Sequence, residues 1–149
     1  MNGPFRRLHH LSILVHDIEH AVEYYEQLGI GPWLEYPPMT GLSELEVSAP
    51  EAFAKMQYRY AQLENIQIQL LEPPMDDCPQ RRYLDQHGQG VWMLGFDIPS
   101  DEQWEQTAAG CIAPMQRGRR VDGSGWTYLD TMDDAGVVMM LLHLPPQTA

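Results

Sequence analysis

Hydrophobic and polar positions along the chain fall into short periodic runs separated by turn residues. Leu8 to Val15 alternates with a period of two, which predicts a strand with His10, Ser12 and Leu14 on one face and Leu11, Ile13 and Val15 on the other. Asp17 follows as an N-cap, and Ile18, Ala21, Val22, Tyr25 and Leu28 then recur at helical spacing against a Glu-rich outer face. Gly29 stops that helix. Residues 35–52 show little periodicity and read as a Pro- and Glu-containing connection. Phe53 to Gln62 reads as a strand that places Met56, Tyr58, Tyr60 and Gln62 on one face. After the turn Leu63-Glu64-Asn65, Ile66 to Leu71 returns as the second arm of a hairpin, with Gln67, Gln69 and Leu71 sharing a face. Two glutamines on one face of an otherwise apolar strand leave two readings: that face is solvent, or it lines a polar cavity.

The second half repeats the first. Pro79 to Gln86 reads as a short helix, and Val91 to Ile98 as a second strong strand. Ser100 then opens a helix, with Gln103 completing a capping box, Trp104 and Ala108 on its buried side and Gly110 at its end. Met115 to Val121, Trp126 to Thr131 and Val137 to His143 complete a strand series broken by two glycine-containing turns. His10 falls opposite Met93, Asp17 opposite Ser100, and Gly29 opposite Gly110. Each half reads strand–helix–strand–strand–strand. The expected class is therefore α+β in a single domain over 1–149, with module one at about 8–74, a linker helix at about 79–87 and module two at about 90–146. One such module exposes a concave sheet face, and pairing two of them encloses a cavity.

Composition narrows the functions that fit. Hydrophobic residues make up 44% of the 149 positions and charged residues 20%, an ordinary globular mix. Nine Lys and Arg face twenty-one Asp and Glu, a formal net charge of −12, which repels phosphate backbones and anionic lipid headgroups. Nucleic acid and membrane are therefore not expected partners. Two cysteines, Cys78 and Cys111, make no disulfide framework, and the first residues lack the apolar run of a signal peptide, so a cytoplasmic location is expected.

Several short motifs, taken in order, resemble the vicinal oxygen chelate superfamily, which includes glyoxalases, methylmalonyl-CoA epimerases, extradiol dioxygenases and bleomycin-resistance proteins. They are His9-His10-Leu11-Ser12-Ile13-Leu14-Val15-His16-Asp17, Leu28-Gly29-Ile30-Gly31-Pro32-Trp33, Gln67-Ile68-Gln69-Leu70-Leu71-Glu72-Pro73, Gly88-Gln89-Gly90-Val91 and Tyr128-Leu129-Asp130-Thr131. The resemblance implies two βαβββ modules forming a cupped eight-stranded mixed sheet around one cavity, and a homodimer. It also implies four metal positions, one each from the first and last strands of the two modules. Residue by residue these fall on His10, Gln69, Met93 and Met140. The family's second histidine of a Gly-x-His-His run is replaced in Gly90-Val91-Trp92-Met93, and its glutamate is replaced in Val137-Val138-Met139-Met140-Leu141. Mg, Mn, Co, Ni and Zn favour oxygen and imidazole donors, and two thioethers do not replace them. No cofactor is expected; a residual weak divalent metal, or Cu(I) held by soft His–Met–Met donors, stays open.

On this reading the catalytic candidates are His10, Gln69, Tyr58 and Tyr60, and the substrate-binding candidates are Ser12, Met56, Gln67, Met93, Tyr128 and Met140. His10 is either a proton-moving group in the pocket or a histidine satisfied by a neighbour. Gln69 either orients a substrate carbonyl through its amide donors or bonds to His10 or buried water. Met93 and Met140 line an apolar pocket. The function implied is metal-independent proton transfer next to a carbonyl, of the isomerase, epimerase, cyclase or lyase type, on a small and largely apolar compound. The alternative is a non-catalytic protein that binds or sequesters a small molecule.

Overall fold

The computed structural model describes residues 3–36 and 41–147. In chain order the elements are β1 (Leu8–Leu14), α1 (Ile18–Gln27), β2 (Leu42–Glu46), α2 (Pro50–Lys55), β3 (Gln57–Gln62), β4 (Gln67–Glu72), α3 (Pro79–His87) and β5 (Gly90–Ile98). Two 3-10 turns follow, Trp104–Gln106 and Ala108–Cys111, and then β6 (Pro114–Arg120), β7 (Gly125–Leu129), α4 (Met132–Ala135) and β8 (Val138–His143). The class is α+β with eight strands of mixed sense, as the repeat and the resemblance led us to expect.

The chain divides into two compact units. One holds β1 from His10 onward, α1, α2, β3, β4, α3 and the start of β5 through Trp92. Within it β4 is central, parallel to β1 and antiparallel to β3. Asp17 caps α1 by accepting from the His20 backbone N–H, and Gly29 follows the helix with a φ of +83°, a conformation that suits glycine. The apolar stripe of α1 packs on one sheet face: Val15, Ile18 and Leu70 are buried there, against Ile13, Ala21, Val22, Tyr25 and Trp33. The other face carries His10, Ser12, Gln67 and Gln69, all of them buried.

The second unit runs β2–β6–β7–β8–β5, with β5 and β8 parallel and the other pairs antiparallel. Its core is Ile98, Trp104, Ala109, Leu129 and Leu141. Three details differ from expectation. The stretch read as an aperiodic connection contains β2, a strand completed by pairing with β6, and the short helix α2. Pro50 opens α2 at a position that suits proline, so the expected strand from Phe53 begins only at Gln57. The expected helix over Asp101–Ala109 is two 3-10 turns instead. The Thr107 hydroxyl bonds the Trp104 carbonyl at 2.6 Å and accepts from the Ala109 N–H, an arrangement that competes with continued helix.

Candidate functional site

The site is built on the sheet face of the first unit that α1 leaves uncovered. Strand register sets its residues in rows. His10, Gln67 and Gln62 form one row across β1, β4 and β3, and Ser12, Gln69 and Tyr60 form the next. Leu14, Leu71 and Tyr58 form a third. Six of the expected site residues (His10, Ser12, Tyr58, Tyr60, Gln67 and Gln69) therefore share one face. Met56 lies just before β3, as the C-cap of α2.

Tyr36, which periodicity did not single out, organises the polar groups on this face. Leu34 docks on β3 through two hydrogen bonds with Tyr60, each 2.9 Å, and so carries the following residues over the sheet. The Tyr36 ring stacks on Tyr60 at a centroid distance of 4.4 Å and meets Tyr58 edge-on at 6.2 Å. Its hydroxyl donates to Gln67 Oε1 at 2.5 Å and accepts from Gln69 Nε2 at 2.6 Å. Gln69 Nε2 also donates to Gln67 Oε1 at 3.0 Å. Both amide hydrogens of Gln69 are thereby committed. The Gln67 NH2 makes no hydrogen bond among the described residues, which leaves it as the amide donor of the pair able to meet a ligand oxygen. His10 and Ser12, beside these glutamines in the register, are fully buried. His9 alternates to the opposite side, where burial lowers its pKa and Asp97 partly offsets the shift.

The remaining candidates belong to the second unit. Met140 sits beside Tyr128 and Gly95 in the register, and Met93 shares that face beside Val138. All three candidates, Met93, Tyr128 and Met140, are buried. On the opposite face of the same strands His143 is buried, with its Nε2 2.9 Å from the Thr127 hydroxyl. Burial, helped by the Arg119 charge, pushes its pKa down to about 3, so it is neutral at pH 7.

The profile of the Glyoxalase/Bleomycin resistance protein/Dioxygenase superfamily matches residues 9–129. The chain belongs to this superfamily, the vicinal oxygen chelate proteins. Among solved structures it is similar to methylmalonyl-CoA epimerase from Mycobacterium tuberculosis, with 19% identity and a TM-score of 0.68, over 99% of this chain and 93% of that one. A variant of the Streptomyces coelicolor methylmalonyl-CoA epimerase, in complex with 2-nitronate-propionyl-CoA, aligns with 22% identity and a TM-score of 0.63, over 93% and 94% of the two chains. A hypothetical protein from Bacillus halodurans aligns with 17% identity and a TM-score of 0.66, over 96% and 97%. No curated protein sequence matches the chain. Identities this low speak for the fold.

Superfamily relatives usually hold a divalent metal, and the donors in this member do not fit one. The four positions named from the resemblance supply one imidazole, one amide and two thioethers, with no carboxylate to offset the charge. Gln69 is in addition tied to Tyr36 and Gln67. Among the described residues no three or more His, Cys, Asp or Glu side chains are grouped to hold a metal ion. Also among the described residues, no helix is long and apolar enough to cross a membrane.

Proposed function

We propose that this superfamily member catalyses proton transfer at the carbon next to a carbonyl, on a small and largely apolar compound, without a divalent metal. One observation carries the reading: the Tyr36 hydroxyl joins Gln67 and Gln69 into a preorganised polar cluster in the rows that also hold His10 and Ser12. Removing such a proton places charge on the carbonyl oxygen, and fixed hydrogen-bond donors stabilise that charge. The Gln67 amide supplies the donor, Tyr36 and Gln69 hold its orientation, and His10 moves the proton. Tyr58 and Tyr60 flank the cluster through their contacts with the Tyr36 ring, and Ser12 and Met56 complete this part of the substrate face. The epimerases among the structural neighbours bind CoA esters, which supports an acyl carbonyl as the reacting group.

The test is hydrogen exchange. EDTA-treated protein is incubated in D2O with methylmalonyl-CoA and with a panel of simple 2-substituted carbonyl compounds, and deuterium incorporation is followed by NMR. Incorporation that is unaffected by EDTA and lost in His10→Asn supports the proposal. Exchange that needs added metal, or that persists in His10→Asn, overturns it.

The full burial of His10 favours a second reading, capture without turnover, because a base must meet its substrate. In that case a compound from the same panel binds stoichiometrically and is recovered with its hydrogen unexchanged. Sedimentation of the same samples checks the homodimer that the superfamily resemblance implies.

A further inference from the structure

The second unit carries a polar pocket on the sheet face opposite Met93, Tyr128 and Met140. Its volume is about 400 Å³, and its walls include Arg119, His143, Trp104 and Ser100. Register sets Arg119 beside Gly125 and Gly125 beside His143, so a lateral row reads guanidinium, no side chain, imidazole. Gly125 has a φ of +146°, and a Cβ there would lie 2.0 Å from the Gly118 carbonyl oxygen. The gap between the two side chains is therefore fixed by the backbone.

Arg119 is half-buried and forms no ion pair among the described residues. Among the described residues its guanidinium reaches the Gly123 carbonyl and the Thr127 hydroxyl, both at 3.5 Å, the outer limit of a hydrogen bond. Two carboxylates on the pocket wall are engaged elsewhere. Glu102 places both oxygens on Arg6, at 2.7 and 2.9 Å, and Glu44 turns toward Arg117 at 3.5 Å. Thr127 and His143 satisfy each other beneath the guanidinium. Glu105 and Glu44 act on this guanidinium from a distance, but among the described residues no carboxylate forms an ion pair with it, and a partly desolvated guanidinium of this kind is suited to bidentate recognition of an oxyanion. Glu44, Glu102 and Glu105 around the rim favour a single negative charge over a phosphate dianion.

We infer that this pocket is a second ligand site, separate from the Tyr36–Gln67–Gln69 face, and that it takes a small organic carboxylate held by the Arg119 fork with its hydrocarbon part against Trp104. The probe is benzoate, with benzamide as the neutral molecule of the same shape, titrated into the full chain while the His143 imidazole and Trp104 indole NMR signals are followed. Benzoate is expected to shift both signals to saturation, and benzamide to bind at least about tenfold more weakly. Arg119→Gln is expected to weaken benzoate by a similar factor, Arg119→Lys by less, and Tyr36→Phe to leave it unchanged. Equal binding of the two probes, undiminished benzoate binding by Arg119→Gln, or no shift at His143 up to the solubility of benzoate overturns the inference. The His143 signal is read in the unsubstituted protein, so the test stands even where a variant fails to fold.

Discussion

The Tyr36 hydroxyl and the Gln69 amide nitrogen meet at 2.6 Å across 33 residues of sequence, and the same hydroxyl donates to Gln67. A side chain from a segment outside the named helices and strands thus sets the orientation of two glutamines on the central strand β4. Leu34 makes this possible, because its paired hydrogen bonds with Tyr60 fix the segment against β3.

Tyr36→Phe removes the bridging oxygen and leaves the ring stacked on Tyr60. The direct Gln69–Gln67 bond at 3.0 Å survives, so the expected cost in urea denaturation is only about 1 kcal/mol. Deuterium exchange into a carbonyl substrate should fall much further than that stability loss accounts for. Full exchange activity in a folded Tyr36→Phe protein would assign the cluster to structure alone.

Arg59 ties the same segment from behind. Its guanidinium bonds Glu19 on α1 at 2.6 Å, Glu35 at 3.2 Å and the Tyr58 carbonyl at 2.9 Å. Both carboxylates are exposed, so Arg59→Met should lose no more than about 1 kcal/mol at low salt. The difference from wild type should shrink in high salt as the pairs are screened. A difference that is independent of salt would mean that Arg59 acts through packing of its stem.

The parts of this site that the sequence made legible are those whose side chains obey strand alternation. His10, Ser12, Gln67 and Gln69 come from strands with one face packed on α1, so parity alone assigns them to the other face. Tyr36 was not legible, because its placement depends on a pairing with Tyr60 and on no local period. β2 escaped for a related reason. Leu42 to Glu46 is exposed or only partly buried at every position, and it becomes a strand by bonding to β6, about 75 residues further on. The helix expected after Ser100 carried the right apolar spacing, but the Thr107 hydroxyl offered the backbone a competing arrangement. Gly110 then fits tightly, since a Cβ there would lie 1.9 Å from the Glu105 carbonyl oxygen.

Gly118 is a position where glycine is required for close approach. A Cβ added there would lie 2.4 Å from the buried Trp126 ring, whose indole covers the strand. Gly118→Ala should therefore destabilise the fold by about 1–3 kcal/mol through forced displacement of that ring. Trp126 fluorescence should shift in the folded variant. Unchanged stability and an unchanged spectrum would show that the indole moves aside freely.

Metal titration addresses the donor set directly. With one imidazole, one amide and two thioethers at the superfamily positions, calorimetry with Mn, Co, Ni or Zn should show no tight stoichiometric binding. One equivalent bound tightly, and lost in His10→Ala, would show that Gln69 exchanges its Tyr36 bond for a metal and would overturn metal independence.

His143 makes stability depend on pH with a definite sign. Burial holds its folded pKa at about 3, against an ordinary value of 6.5 in the unfolded chain. Between those values the unfolded chain binds a proton that the folded protein does not. Stability is thus fully present above about pH 6.5 and declines as the pH falls toward 3. The slope from this one group approaches about 1.4 kcal/mol per pH unit well inside that window. His143→Gln keeps a polar partner for Thr127 and removes the titration, so the variant should lose less stability than wild type between pH 6.5 and 5. His9, shifted in the same direction, and the carboxylates remain in both proteins and cancel in the comparison. Parallel pH profiles for the two proteins would mean that His143 titrates normally and that its pocket admits water.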